Sequence, residues 1–206
     1  FEDIVALVAL IRPGPLGAGM HNEFADRANN RKEIEYLHSD LESILNETYG
    51  VILYQEQVMQ IAEKIAGFNL QEADNLRVAM GKKIPKVMEE QRKKFTDGAV
   101  SNNYSEQFAI ELFDQIAYFA GYGFNKSHSV PYALLAYQTA YLKANYPAEY
   151  IAACLTAVKR DKDRTAIFLS EARDMGVKVS TPDVNLSSSD FTVNDNEILF
   201  GLSAVR

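Results

Sequence analysis

Residues 55–81, QEQVMQIAEKIAGFNLQEADNLRVAMG, decide the fold class because they carry the same helical punctuation twice. Val58, Ile61, Ala62, Ile65 and Ala66 recur at three and four residues, the spacing of one helix face. Gly67 follows where a left-handed glycine ends a helix. Asn69 with Glu72 three positions on then forms a capping box, and Ala73, Leu76 and Met80 carry a second apolar face to Gly81. Two capped amphipathic helices in succession predict a mainly α fold.

The same signals continue downstream. Pro85 predicts a helix start, with Val87, Met88, Gln91 and Phe95 on one side and Arg92, Lys93 and Lys94 largely on the other. Ser105 is placed to cap the next helix, whose stripe of Ala109, Leu112, Phe113, Ile116, Phe119 and Ala120 runs into Gly121. VPYALLAYQTAYLKANYP, residues 130–147, predicts a helix beginning at Val130. Its tyrosines, Tyr137 and Tyr141 included, suit core or interface packing. Pro147 opens another helix to about Val158, and Asp161 or Asp163 caps one more that ends at Met175-Gly176.

Upstream, an apolar helix from about Asp3 is stopped by Pro13 and Pro15, since proline cannot continue a helix. A loop is expected from there to about Asn46, with His21 and His38 on its surface. Beyond Gly176 the texture changes. VKVST, FTV and EILFG cluster β-formers, and NDN between the last two predicts a hairpin loop of three to five residues. The expected architecture is a multi-helix domain over residues 1–176 and a small C-terminal β element, a hairpin, over 177–206.

The 206 residues are 47% hydrophobic and 24% charged, ordinary globular values that allow a real core. The single cysteine, Cys154, sits in the apolar run YIAACLTAV, which suits a small buried residue, excludes a disulfide framework and fits a reducing compartment. No run of about 18 apolar residues would span a bilayer, so a cytosolic protein with no membrane partner is expected. A start at Phe1 and a finish just after EILFGLSAV predict a piece of something longer. Net charge is −7, which argues against wholesale wrapping of nucleic acid. Yet residues 77–94 hold Arg77, Lys82, Lys83, Lys86, Arg92, Lys93 and Lys94 against Glu89 and Glu90, a net +5 that leaves −12 for the rest. A local basic stripe on an acidic body suits either an anion held at one place or a solvated helix face.

GYGFNKSHS, residues 121–129, looks like phosphate-binding chemistry, with glycines, a lysine and a histidine close together. It is not a nucleotide-triphosphatase P-loop. Aligning Lys126-Ser127 to that motif puts Ala120 and Asn125 at the required glycines, and a helix precedes it instead of a strand. A dinucleotide fingerprint lacks its third glycine. Two readings remain. In one, Lys126 and the free N–H groups of residues 127–129 face an anion, with His128 bonding it or donating a proton. In the other, Gly121 ends one helix, Ser129 caps the next, and His128 satisfies a carbonyl. No Cys-His, Ser-His-Asp, HExxH, CxxC or paired-aspartate pattern suggests catalysis or metal binding within the chain.

ALIRPGPL, ETYGVILYQEQVMQIAEKIAGF, EADNLRVAMGKK, FAGYGFNKSHSVPYALLAYQTAYLKANYPAEYIAA and PDVNLSSSDFTV, in this order across essentially the whole chain, resemble the fingers domain of the bacterial replicative DNA polymerase III alpha subunits, the C-family polymerases. The resemblance implies metal-binding aspartates in a palm domain preceding Phe1, where Mg²⁺ would act. It also implies helix-hairpin-helix and OB modules after Arg206. It implies a DNA-directed DNA polymerase whose fingers bind the incoming deoxynucleoside triphosphate and help position primer-template DNA, the fragment alone being inactive. Sliding clamp and proofreading exonuclease would be partners in the bacterial cytoplasm. Arg77 matches a family arginine at the triphosphate, and Tyr122 and His128 match positions near the nucleotide. Lys82, Lys83, Asn125 and Lys126 join this candidate nucleotide-binding set on local chemistry. Val78 stands where the family usually has a second basic residue, and Ile84 where another is common. A non-catalytic helical protein-interaction module is the alternative.

Overall fold

The structure is a computed structural model, and it describes residues 1–82, 85–119 and 122–205. Eleven α-helices and one two-stranded antiparallel sheet are found among them, a mainly α fold with a small C-terminal hairpin. The chain packs as two compact units, Phe1–Leu134 and Leu135–Arg206.

Four consecutive helices form the larger core of the first unit: α5 (Gln55–Ala66), α6 (Leu70–Lys82), α7 (Pro85–Ser101) and α8 (Glu106–Phe119). The predicted punctuation is present. Gly67 closes α5 at φ +68°. Asn69 Oδ1 accepts the N–H of Glu72 at 3.0 Å while Glu72 Oε2 accepts that of Asn69 at 2.9 Å, the reciprocal capping box. Ser105 Oγ accepts the N–H of Phe108 and starts α8. α6 runs one residue past Gly81, to Lys82. The faces so aligned bury Ile61, Ile65, Leu76, Phe95, Leu112 and Ile116 together.

A second cluster in this unit joins α1 (Glu2–Leu10), α3 (Met20–Ala28) and residues 51–54. The loop expected before Asn46 is instead partly helical. Pro13 begins a short helix, α2 (Pro13–Gly17), at the first position, where its missing N–H costs nothing. α3 follows, and α4 (Glu42–Leu45) sits beyond a 3₁₀ turn at Ser39–Leu41. The two histidines are half-buried rather than superficial. His38 Nδ1 accepts the N–H of Asp40 at 3.2 Å, and its ring packs on Tyr104 and Phe108.

The second unit is built on α10 (Pro147–Val158) and α11 (Lys162–Asp174). Asp161 caps α11 by accepting the N–H of Arg164. Ile151, Leu155, Ala172, Phe191 and Ile198 share its core with the hairpin of β1 (Thr192–Asn194) and β2 (Glu197–Leu199). The hairpin loop is tighter than expected: Asp195 and Asn196 alone connect the strands, at φ +47° and +61°, which matches the right-handed twist of the pair. The change of texture at Gly176 falls inside this unit. Cys154 is half-buried instead of core.

Candidate functional site

Three short segments of the first unit build the corner that follows α8. Phe124 forms a parallel bridge with Tyr54: its N–H donates to Leu53 O at 3.2 Å and its carbonyl accepts the N–H of Gln55 at 2.9 Å. The Gln55 side chain adds a bond from Nε2 to the carbonyl of Gly123. The corner is thus tied to the N-terminal end of α5. Gln57 holds that end in turn. Its side chain is 1% exposed and its Oε1 accepts the N–H groups of both Leu53 and Tyr54 at 2.9 Å, while Nε2 donates to Ile44 O and Thr48 Oγ1.

From Phe124 the chain enters α9 (Lys126–Asn145), four residues earlier than predicted. The cap is Asn125 and not Ser129: Asn125 Oδ1 accepts the N–H of His128 at 2.9 Å. Ser129 lies one turn inside, fully buried, donating from Oγ to Val5 O at 2.6 Å. Pro131 is the sixth residue of the helix.

Glu56 occupies the new terminus. Its two carboxylate oxygens each lie 3.0 Å from the N–H of Lys126, and Oε1 also accepts Ser127 N and Oγ at 3.5 and 3.4 Å. A carboxylate here meets the unpaired donors and the positive end of the helix together. Lys126 Nζ is directed to Glu47, 2.5 Å away, and lies over the Tyr54 ring. Of the groups singled out in the sequence, the lysine and the N–H of Ser127 therefore face acids of this same chain, while the N–H groups of His128 and Ser129 go to Asn125. Neither Glu47 nor Glu56 stood out in the sequence. Glu56 has the ordinary look of an acid in the first turn of its own helix, and no local pattern reports a bond to a residue 70 positions away.

On the outer side of the corner, rings stand in a row, Phe124 half-buried and His128 and Tyr132 exposed. Phe124 and His128 have centroids 5.7 Å apart, His128 and Tyr132 4.9 Å, and the Arg12 guanidinium lies 4.7 Å from the Phe124 centroid. His128 and Tyr132 are one turn apart on the outer face, and Ser129 and Ala133, the residues that follow each of them, are buried on the inner face. Tyr122 is half-buried beside Tyr118 and rests over Gly14.

Tyr122, Asn125, Lys126 and His128 are thus brought together. Arg77 and Lys82 lie apart on α6, and no hydrogen bond, ion pair or ring contact among the described residues links them to the corner; Lys83 and Gly121 lie outside those residues. Arg77 Nε is 2.8 Å from Asp74 Oδ1, with its side chain one-third exposed. The rest of the basic stripe is also partnered in part: Lys94 pairs with Glu72 at 2.7 Å and lies over Phe68, and Arg92 pairs with Asp114. Among the described residues no group of three His, Cys, Asp or Glu side chains could hold a metal ion. The acids near the corner are committed to N–H groups and a lysine, so they do not fit Mg²⁺. No helix among those residues is long and apolar enough to cross a membrane.

The first unit is a helical bundle whose corner after α8 is tied to α5 from behind and open on its outer face. Comparison with known proteins gives the fold a family. Residues 1–103, half of the chain, match the family model described as the bacterial DNA polymerase III alpha subunit finger domain, and the chain belongs to this family. Residues 176–206 match a helix-hairpin-helix motif, so that likeness begins before Arg206 and not after it. Over its full length the chain is 50% identical to the DNA polymerase III subunit alpha of Mycobacterium tuberculosis (strain ATCC 25618 / H37Rv), 52% to that of Saccharopolyspora erythraea and 49% to that of Escherichia coli (strain K12). In each case it spans only 18% of the relative's length.

Proposed function

We infer that the chain works as the fingers of a bacterial replicative DNA polymerase, holding the incoming deoxynucleoside triphosphate against primer-template DNA for nucleotidyl transfer. The observation that carries this reading is the outer face of the corner. In a chain of this family, His128 and Tyr132 are exposed side by side on a helix turn pinned from behind by Glu56 and Ser129. Pre-fixed side chains hold a ligand without a further ordering cost.

Tyr122 and His128 meet the nucleotide in this proposal. Arg77, Lys82 and Lys83 offer cations to its triphosphate, while Asn125 and Lys126 shape the turn. Divalent metal, with Mg²⁺ as the expected ion, belongs to the remainder of the parent enzyme. Other replicase subunits, the sliding clamp and the proofreading exonuclease among them, are its partners, and the bacterial cytoplasm is its compartment. The fragment alone is inactive, because the nucleotidyl-transfer carboxylates lie elsewhere.

The test is primer extension by the full-length alpha subunit. His128→Ala and Arg77→Ala each raise the KM for nucleotide or lower kcat by about tenfold, the scale of one lost hydrogen bond to a charged group. Unchanged kinetics in both variants would return the chain to a non-catalytic interaction module.

A further inference from the structure

We propose that Glu56 is a positioning residue for nucleotide binding, acting through His128, and that it closes the α9 terminus to outside anions. The inference rests on the reading just given for the corner. Glu56 accepts the N–H groups of Lys126 and Ser127, the two residues that precede His128. Those N–H groups are among the four that no helix can satisfy internally. Asn125 takes the next, that of His128. The lysine charge that an external phosphate would need is neutralised by Glu47. An anion arriving from solution would have to displace a carboxylate delivered by the same chain at high effective concentration.

Mechanical consequences follow from where Glu56 sits. It is the second residue of α5, and the adjacent Gln55 bonds the corner through its backbone N–H to Phe124 O and through Nε2 to Gly123 O. Gln55 thereby ties α5 to the chain just before α9, Glu56 ties it to the first turn itself, and Ser129 to Val5 O pins the other side. Rotation of the first turn of α9 about its axis would break the bonds made by Lys126, Ser127 and Ser129. Such a rotation is what would carry the His128 ring off its place between Phe124 and Tyr132. Glu56 touches no ligand in this account. It fixes the direction in which His128 points.

The experiment uses the full-length alpha subunit with Glu56→Ala, Glu56→Gln, His128→Ala and the Glu56→Ala/His128→Ala pair, assayed for primer extension over a range of nucleotide concentrations, with melting curves to follow folding separately. Glu56→Ala raises the KM for nucleotide by about tenfold or more, as small misplacements of a binding group do. Glu56→Gln, which keeps a carbonyl acceptor for Lys126, raises it less. In the double variant the two losses do not add, because one residue acts through the other. A lower KM in either Glu56 variant overturns the proposal, since Glu56 would then be competing with the phosphates. Additive losses, or a loss of kcat alone with KM unchanged, also overturn it by reducing Glu56 to a structural tie. Unchanged KM and kcat in His128→Ala defeat the nucleotide reading of the corner and this proposal with it, and a loss of kcat alone in His128→Ala defeats this proposal only. Sensitivity to His128 without sensitivity to Glu56 defeats this proposal only. Should Glu56→Ala not fold, the direction of the Glu56→Gln shift still decides.

Discussion

Gly98 of α7 lies directly against the backbone of Ala66 at the end of α5. A Cβ built on it would stand 3.0 Å from the Ala66 carbonyl carbon and overlap the carbonyl oxygen. Backbone cannot swing away as a side-chain tip can, so the two helices would have to separate. Gly98→Ala is expected to destabilise the first unit by about 1 to 3 kcal/mol, the usual cost of overpacking, despite alanine's better helix propensity. The check is a thermal melt of both proteins, and a variant as stable as the parent would refute the close approach.

That glycine also marks what the sequence could and could not say. The helices of the first core were legible because their apolar spacing and caps are local: Gly67, the Asn69–Glu72 box and Ser105 each act within a few residues of themselves. Close approaches such as Gly98 on Ala66 depend on how two helices cross, which spacing does not record. The corner's partners are hidden from the sequence for the same reason: its chemistry suits an anion, and the carboxylate of Glu56 lies there, brought from another helix by the fold. The expected start at Val130 follows the apolar spacing of residues 130–147, which does not extend to the polar residues 126–129 that form the first turn. The role of α3 and α4 was missed because their apolar residues are few and their flanks are rich in Gly and Asn.

Gln57 is a buried polar side chain with a complete set of partners. Replacing it with alanine leaves the N–H groups of Leu53 and Tyr54 without their acceptor and Ile44 O without its donor. Buried groups left unpaired carry their full desolvation penalty, so Gln57→Ala is expected to cost about 2 to 4 kcal/mol. Gln71→Ala, which removes an exposed contact to Asn75, serves as the control within about 0.5 kcal/mol of the parent. Denaturant titration of the two variants measures the difference. Equal midpoints would contradict the buried network.

Tyr104 and Asp40 predict a dependence on pH. The Tyr104 hydroxyl donates to Asp40 Oδ2 at 2.6 Å. That bond, helped by burial and by the carboxylate charge, pushes the phenol up from 10.0 to about 12. The same bond holds the Asp40 carboxyl below its ordinary value of 3.8, against a smaller opposing effect of burial. A raised phenol pKa contributes stability that is complete below pH 10 and is lost between about 10 and 12. A lowered carboxyl pKa contributes stability present above 3.8 and lost as pH falls through its lowered value. Tyr104→Phe is therefore expected to flatten both flanks of the stability profile while leaving a residual alkaline loss, because burial also raises Tyr36, Tyr49 and Tyr150. Denaturation midpoints at neutral pH, near pH 3 and above pH 10 test it, and parallel profiles for parent and variant would rule it out.

Gly14 and Tyr122 connect the first proline-rich turn to the candidate site. A Cβ on Gly14 would come within 2.7 Å of Tyr122 Cε1 and closer still to Cδ1, so Gly14→Ala cannot be accommodated with the ring where it is. The ring is half-buried and edge-on to Tyr118, which leaves it room to turn outward at modest cost in stability. In the full-length alpha subunit, Gly14→Ala is expected to raise the KM for nucleotide several-fold, about as much as Tyr122→Ala does, because both remove the ring from the same place. The variant pair should melt within a few degrees of the parent, roughly the shift that 1 kcal/mol produces in a unit of this size. If Tyr122→Ala weakens nucleotide binding and Gly14→Ala does not, the ring is held by the corner itself and the glycine is only a gap beneath it.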